Sequence, residues 1–386
     1  MGGSLPHGRT PAQASARGAE DETRPRLHVG QPAEEQAASG GQAYTDAPTA
    51  RQVELGLFIS AQHPPGVAPT AAIEMHLEQV RVARELGFSA IWCGQHFLSH
   101  PFQMFQPVPL LARLAAEAGE MTIGTGVTLL TLLHPVEVAE HAATLDAIAG
   151  GRFVLGVGFG YRRVENAAFG LHGARSKLFE HKLQIVRRLL AGETVTAQGD
   201  GFMLKEASLS LLPERPPPVW IAANADEAVR RAARLGDAWF INPHSRLDVL
   251  ERQQLMFARE RRAARLPPAA CTPLLKEVCV AETDAAAMQI ARPYLQGKYD
   301  AYVEWGQSEV LPEGDTLRRR WTELTGGGRF ILGSPETCRA QLQEHIDRLG
   351  ADHIACRMQW PGMPQEHVLR SMRLLAGEVL GALRPA

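Results

Sequence analysis

The residues of this chain best suited to chemistry sit just after short apolar runs. Gln95 and His96 follow Trp92-Cys93-Gly94. An imidazole there can act as acid, base or hydrogen-bond donor, whereas an amide can donate but cannot shuttle a proton. Gly156, Gly158 and Gly160 strip side chains from the end of the run that begins at Phe153, so a flat ring could lie against bare backbone. Tyr161 and Arg162 follow at once with an aromatic face and a cation. The spacing is Gly-x-Gly-x-Gly rather than Gly-x-Gly-x-x-Gly, so it is no dinucleotide fingerprint, and tight strand packing would use the same glycines. Gly124-Thr125-Gly126-Val127 repeats the small-residue pattern, and His134 with Pro135 reads as a helix entry. Ala223-Asn224-Ala225 leads into another helix start, where free N–H groups suit an anion such as phosphate, with Asp226 fitting an N-cap. Arg357 and Trp360 put a cation and an indole after the last apolar run.

These positions need a scaffold that gathers strand ends. The 386 residues are 45% hydrophobic with a formal net charge of -2. That is length for one large α/β barrel or two domains, and the near-neutral charge argues against nucleic acid as the main partner. No apolar run is long enough to span a bilayer and no signal-peptide core opens the chain. The five scattered cysteines show no metal spacing, so no metal is expected, and reduced thiols in a cytoplasmic protein are. Residues 1–50 lack hydrophobic periodicity and read as a disordered extension; residues 51–386 read as the folded domain.

Within that domain, strands are predicted at Val53–Ile59, Ser89–Cys93, Met121–Leu129, from Phe153, and at Val219–Ala222, Ala238–Ile241, Leu274–Ala281 and His353–Met358. Helices are predicted between them, among others at Pro107–Ala118, Pro135–Ile148, Asp226–Leu235, Arg246–Ala264, Asp284–Leu295 and Pro335–Leu349, with a closing helix at Gln365–Ala382. A hairpin excursion is expected at Thr194–Leu212. An irregular stretch follows Leu295 and runs to Arg329; within it 297–329, with Trp305, Trp321 and Gly326-Gly327-Gly328, is a candidate lid or simply a surface excursion. Eight strands alternating with helices favour a (β/α)8 TIM barrel over an open doubly wound sheet, and place functional residues at its C-terminal rim.

In that order and spacing the chain resembles the luciferase-like family of flavin- or deazaflavin-dependent oxidoreductases. The matching pieces are Gln95-His96-Phe97, Gly124-Thr125-Gly126, His134-Pro135, Ala139-Glu140, Leu145-Asp146, Gly150-Gly151-Arg152-Phe153, Tyr161 with Glu165 and Phe169-Gly170, Arg230 to Asp237, and Gln359 to Met363. The resemblance implies reduced flavin at the barrel mouth and a non-prolyl cis peptide between Gly126 and Val127. It also marks departures. Gln95 stands where luciferases carry a catalytic histidine, Phe159 where an arginine holds the flavin phosphate, and Gly158 where a reactive cysteine sits.

The leading expectation is a two-component monooxygenase, using reduced FMN from a separate flavin reductase and O₂ to oxygenate a hydrophobic organic molecule. His96 and Gln95 are the catalytic candidates; Gly126, Val127, Gly158, Tyr161, Ala223, Asn224 and Ala225 the cofactor-binding ones; Phe58 and Trp360 the substrate contacts. Arg162 and Arg163 are further candidates for the phosphate. An F420-dependent hydride transferase, with Arg162, Arg163, Arg230 and Arg231 cradling a polyanionic tail, and a non-catalytic flavin-binding relative are the alternatives. Family members are often homodimers.

Overall fold

The computed structural model describes residues 52–173, 175–199 and 201–386; the expected N-terminal extension lies outside them. Eight parallel strands close a barrel: β1 (Glu54–Ile59), β2 (Ala90–Cys93), β3 (Thr122–Thr125), β4 (Phe153–Gly158), β5 (Val219–Ala223), β6 (Ala238–Ile241), β7 (Pro273–Val280) and β8 (His353–Arg357). Each pairs with the next, and β8 returns to β1 through Glu54↔His353 to Leu57↔Cys356. This is the expected TIM-type barrel. The strands are buried nearly throughout, as parallel strands covered by helices must be.

Helix starts follow local chemistry. α1 (Pro69–Glu85), α2 (Pro107–Ala118), α3 (Pro135–Ile148) and α8 (Pro335–Leu349) have proline in the first turn, where a missing N–H costs nothing. His134 caps α3, its Nδ1 accepting from Val136 N at 3.2 Å, as its place in the sequence predicts. The remaining outer helices are α4 (Ser176–Leu190), α5 (Asp226–Leu235), α6 (Leu247–Ala263), α7 (Asp284–Glu304) and α9 (Gln365–Leu374).

Four expectations are corrected. The single strand Met121–Leu129 is two, Thr122–Thr125 and Thr128–Leu129, interrupted at the cis peptide Gly126–Val127. The helix from Asp284 runs on to Glu304, and a strand at Phe330–Gly333, too short to stand out, adds to the edge of β7. The closing helix is regular only to Leu374, then a π turn at Leu375–Val379 and a 3₁₀ turn. Asp226 is no cap: Ala225 occupies that position, and the Asp226 carboxylate is held by Arg252 and Gln253.

The barrel interior is plugged by aromatics. Trp92 on β2 stacks on Trp220 of β5 with ring centres 4.7 Å apart, and Phe240 of β6 tilts against both. Glycine makes the room, since a Cβ on Gly124 would lie 2.2 Å from the Trp92 ring. The plug divides the barrel, separating the upper, C-terminal rim from a lower cavity lined by Trp92, Val154, Trp220 and His353.

A second buried feature, outside the barrel, contributes to the acid response. His63 and His76 face each other, Nε2 to Nε2 at 2.9 Å. Burial pushes His63 down to about 4; burial and then His63 push His76 down to about 3. Both stay neutral in the fold while the unfolded chain takes up protons below about 6.5. Stability is therefore complete above that pH and is lost as pH falls toward 4, by up to about 1.4 kcal/mol per pH unit for each ring. Urea midpoints at pH 7 and pH 5 should show this loss, and His63→Gln with His76→Gln should flatten the slope. An unchanged slope in the double variant would refute the assignment.

Candidate active site

A cavity of about 330 Å³ opens at the upper rim, and every barrel strand contributes to its wall or to the loop that follows. The glycine-rich strand ends shape it. A Cβ on Gly126 would come within 2.7 Å of Phe58, one on Gly158 within 2.8 Å of Val127, and one on Gly156 within 1.8 Å of Thr125 O. The third and fourth strand ends can approach this closely only without side chains.

His96 lies in this wall, backed by a carboxylate. Its Nδ1 is 2.9 Å from Oε1 of Glu165, which comes from the short helix Arg163–Ala168 and is almost fully buried. The same oxygen accepts from Phe97 N at 2.9 Å and from Arg162 at 3.3 Å. An ionised carboxylate only accepts, so Nδ1 carries the proton and Nε2 is the nitrogen left for the cavity. Tyr161, Tyr302 and Trp305 pack edge-on around the imidazole and fix its plane.

Gln95 also reaches the wall, but its amide is committed. Oε1 accepts from Leu129 N at 2.8 Å and Nε2 donates to Gln106 at 3.1 Å, so it ties the second strand end to the segment beyond the cis peptide. Tyr161 lines the cavity with a buried hydroxyl that lacks a partner among the described residues. Gly126, Val127, Gly158, Ala223, Asn224, Ala225 and Phe58 all line the same cavity. Trp360 does not reach it. It is fully buried behind the wall, its indole N–H donating to Glu277 at 2.6 Å.

The expected phosphate arginines are used elsewhere. Arg162 turns inward, donating to Phe97 O and Leu98 O and lying 3.8 Å over the Trp305 ring. Arg163 pairs with Glu309, Arg230 with Glu227 and Glu260, and Arg231 with Glu180. Arg175 is the cation that sequence reasoning missed. It lines the cavity, as Ala225 and Ala228 do, and its described bonds run from Nη1 to Gly160 O at 2.7 Å and Asn166 Oδ1 at 2.8 Å, neither of them anionic. Burial alone lowers its pKa.

The stretch 297–329 contributes to the cavity wall. Tyr302, Gln307 and Val310 line the cavity, and Arg329 anchors the far end by pairing with buried Asp315 and donating to His244 O at 2.9 Å.

The family model for luciferase-like monooxygenases matches residues 53–353. The chain belongs to the luciferase-like monooxygenase family. Among its relatives, 4-hydroxyprotoasukamycin monooxygenase of Streptomyces nodosus subsp. asukaensis is 32% identical over 45% of this chain and 47% of that protein. F420-dependent hydroxymycolic acid dehydrogenase of Mycobacterium tuberculosis is 32% identical over 41% and 46%. These alignments span about half of each relative. The crystal structure of the monooxygenase RslO1 from Streptomyces bottropensis superposes with a TM-score of 0.75 at 23% identity, covering 85% of this chain and 99% of that one, a likeness of fold.

Luciferase-like relatives thus include both monooxygenases and F420-dependent dehydrogenases, and this family member is an oxidoreductase of that kind. Two carboxylates that organise the wall carry a signal in the sequence. Glu165 lies in the family-like segment after Tyr161, and Glu277 is an acid inside the apolar run Leu274 to Val280. Arg175 had none, because it follows the strand end through an irregular stretch with no periodicity.

Proposed function

We propose that the protein is an FMN-dependent monooxygenase that receives reduced FMN from a separate flavin reductase and uses O₂ to oxygenate a hydrophobic organic molecule. Arg175 carries this reading. It gives the cavity a cation with no carboxylate partner among the described residues, and the start of α5, whose backbone N–H groups also suit a phosphate, lines the same cavity. The glycine-lined wall at Gly126-Val127 and Gly158 fits the flat ring of a flavin, since it presents backbone where side chains would intrude. A polyanionic F420 tail would need further cations, and Arg163, Arg230 and Arg231 are already paired with carboxylates.

Reduced flavin, when bound, supplies the electrons that activate O₂. The chain's own residues do the rest. His96 Nε2 holds or accepts a proton at the reacting oxygen, and Glu165 keeps the ring in the tautomer that allows it. Phe58, Phe159, Phe240 and Leu275 line an apolar interior that excludes water and receives an apolar substrate.

Flavin affinity tests the reading directly. FMN should bind well ahead of F420, and Arg175→Ala should weaken FMN about 10- to 100-fold, the worth of a charge-assisted contact to phosphate. Riboflavin, which has no phosphate, should lose no more than about twofold on the same scale. Tighter binding of F420 than FMN, or an Arg175→Ala variant that binds FMN normally, would overturn it.

A further inference from the structure

The floor of the cavity holds a second arginine that the flavin phosphate does not explain. Arg357, at the end of β8, lines the cavity and lies 4.2 Å over the Phe58 ring. Its described hydrogen bond runs from Nη1 to Glu277 Oε1 at 2.9 Å, while Nε and Nη2 have no acceptor among the described residues and are not sealed from the cavity. Glu277 is fully buried and already serves Lys298, Trp360 and, at 3.4 Å, the Tyr299 hydroxyl. Two cations therefore share one carboxylate. No aspartate or glutamate among the described residues lines the cavity to balance them.

We propose that Arg357 is the seat for an anionic oxygen on the organic substrate, a carboxylate, enolate or phenolate carried on an apolar body. The inference rests on reading this cavity as the reacting site. The guanidinium offers a planar fork of donors that matches such an oxygen, and Phe58 holds that fork flat. The apolar wall around it keeps the pair out of water, which strengthens the contact. The charge state of the cluster agrees. Burial and then Arg357 push the Lys298 ammonium down to about 7, although Glu277 pulls the other way. An anion on Arg357 would relieve that push.

A delocalised anion could also come from the pyrimidine end of the reduced flavin, so the test separates the two sources. Flavin-free protein is titrated with 2-naphthoate and with 2-naphthamide, which share shape but not charge. The wild-type protein should prefer the carboxylate about tenfold or more, and Arg357→Met should bring the two within about twofold. That variant still leaves Glu277 paired with Lys298 and Trp360, and a thermal melt verifies the fold. Arg357→Lys, a charge without the fork, should keep only part of the preference and serves if the methionine variant unfolds. Equal binding of both probes by the wild type, or a preference that survives Arg357→Met, overturns the proposal. So does an Arg357→Met protein whose bound FMN becomes harder to reduce while the naphthoate preference persists, because the arginine would then serve the cofactor. Failure of FMN to bind would sink the flavin reading and leave the naphthoate comparison standing.

Discussion

His96→Ala is expected to lower turnover of the flavin-loaded protein about 10²- to 10⁴-fold, the range a positioned acid–base group contributes. The imidazole is held edge-on by three aromatic rings and bonded through Nδ1 to a buried carboxylate, so it presents one nitrogen in one tautomer to the cavity. Glu165→Gln tests the second half of the pair. A glutamine amide can present either an acceptor or a donor to Nδ1, so the tautomer is no longer enforced, and turnover should fall about tenfold or more with substrate KM little changed. FMN affinity should survive both changes, since neither side chain belongs to the proposed phosphate seat. Turnover of the best substrate from a panel of hydrophobic ketones, aldehydes and aromatic acids gives the measurement. His96→Ala activity within threefold of wild type on that panel, roughly the loss of one weak contact, would remove His96 from the mechanism.

Gly156→Ala is expected to be the most damaging single methyl in the barrel. Its Cβ would lie 1.8 Å from Thr125 O and 3.2 Å from Val127 Cγ1, and backbone cannot yield as a flexible side chain can. Accommodation must push the end of β3 away from β4, breaking the Thr125 hydroxyl bond to Gly156 O at 2.7 Å and disturbing the Gly126–Val127 wall. A loss of about 3 kcal/mol or more follows from such overpacking, and any folded fraction should bind FMN poorly. Gly297→Ala is the contrast. Gly297 lies inside α7 with nothing near its Cβ position, so the substitution should stabilise by about 0.5–1 kcal/mol. Denaturant midpoints of the two variants should move in opposite directions; a neutral Gly156→Ala would mean the strand ends are not packed as described.

The sequence by itself determined the architecture. Alternating short apolar runs and amphipathic stretches, with proline opening helices, place α2, α3, α5 and α8 at their observed ends, because these signals are local. The gathering of Gln95, His96, Gly126, Gly158, Tyr161 and Ala223 to Ala225 around one cavity was also legible, since a parallel barrel brings all strand ends to one rim. Only the tertiary structure decided which side chains were free to act. Arg162 and Trp360 carry suitable chemistry but point into buried partners, while Arg175, in an irregular stretch, and Arg357, beside Glu277 of β7, reach the cavity. Periodicity records which face of an element is buried. A charged side chain's role depends on which partner has claimed it, and paired residues such as Arg163 and Glu309 lie 146 positions apart along the chain.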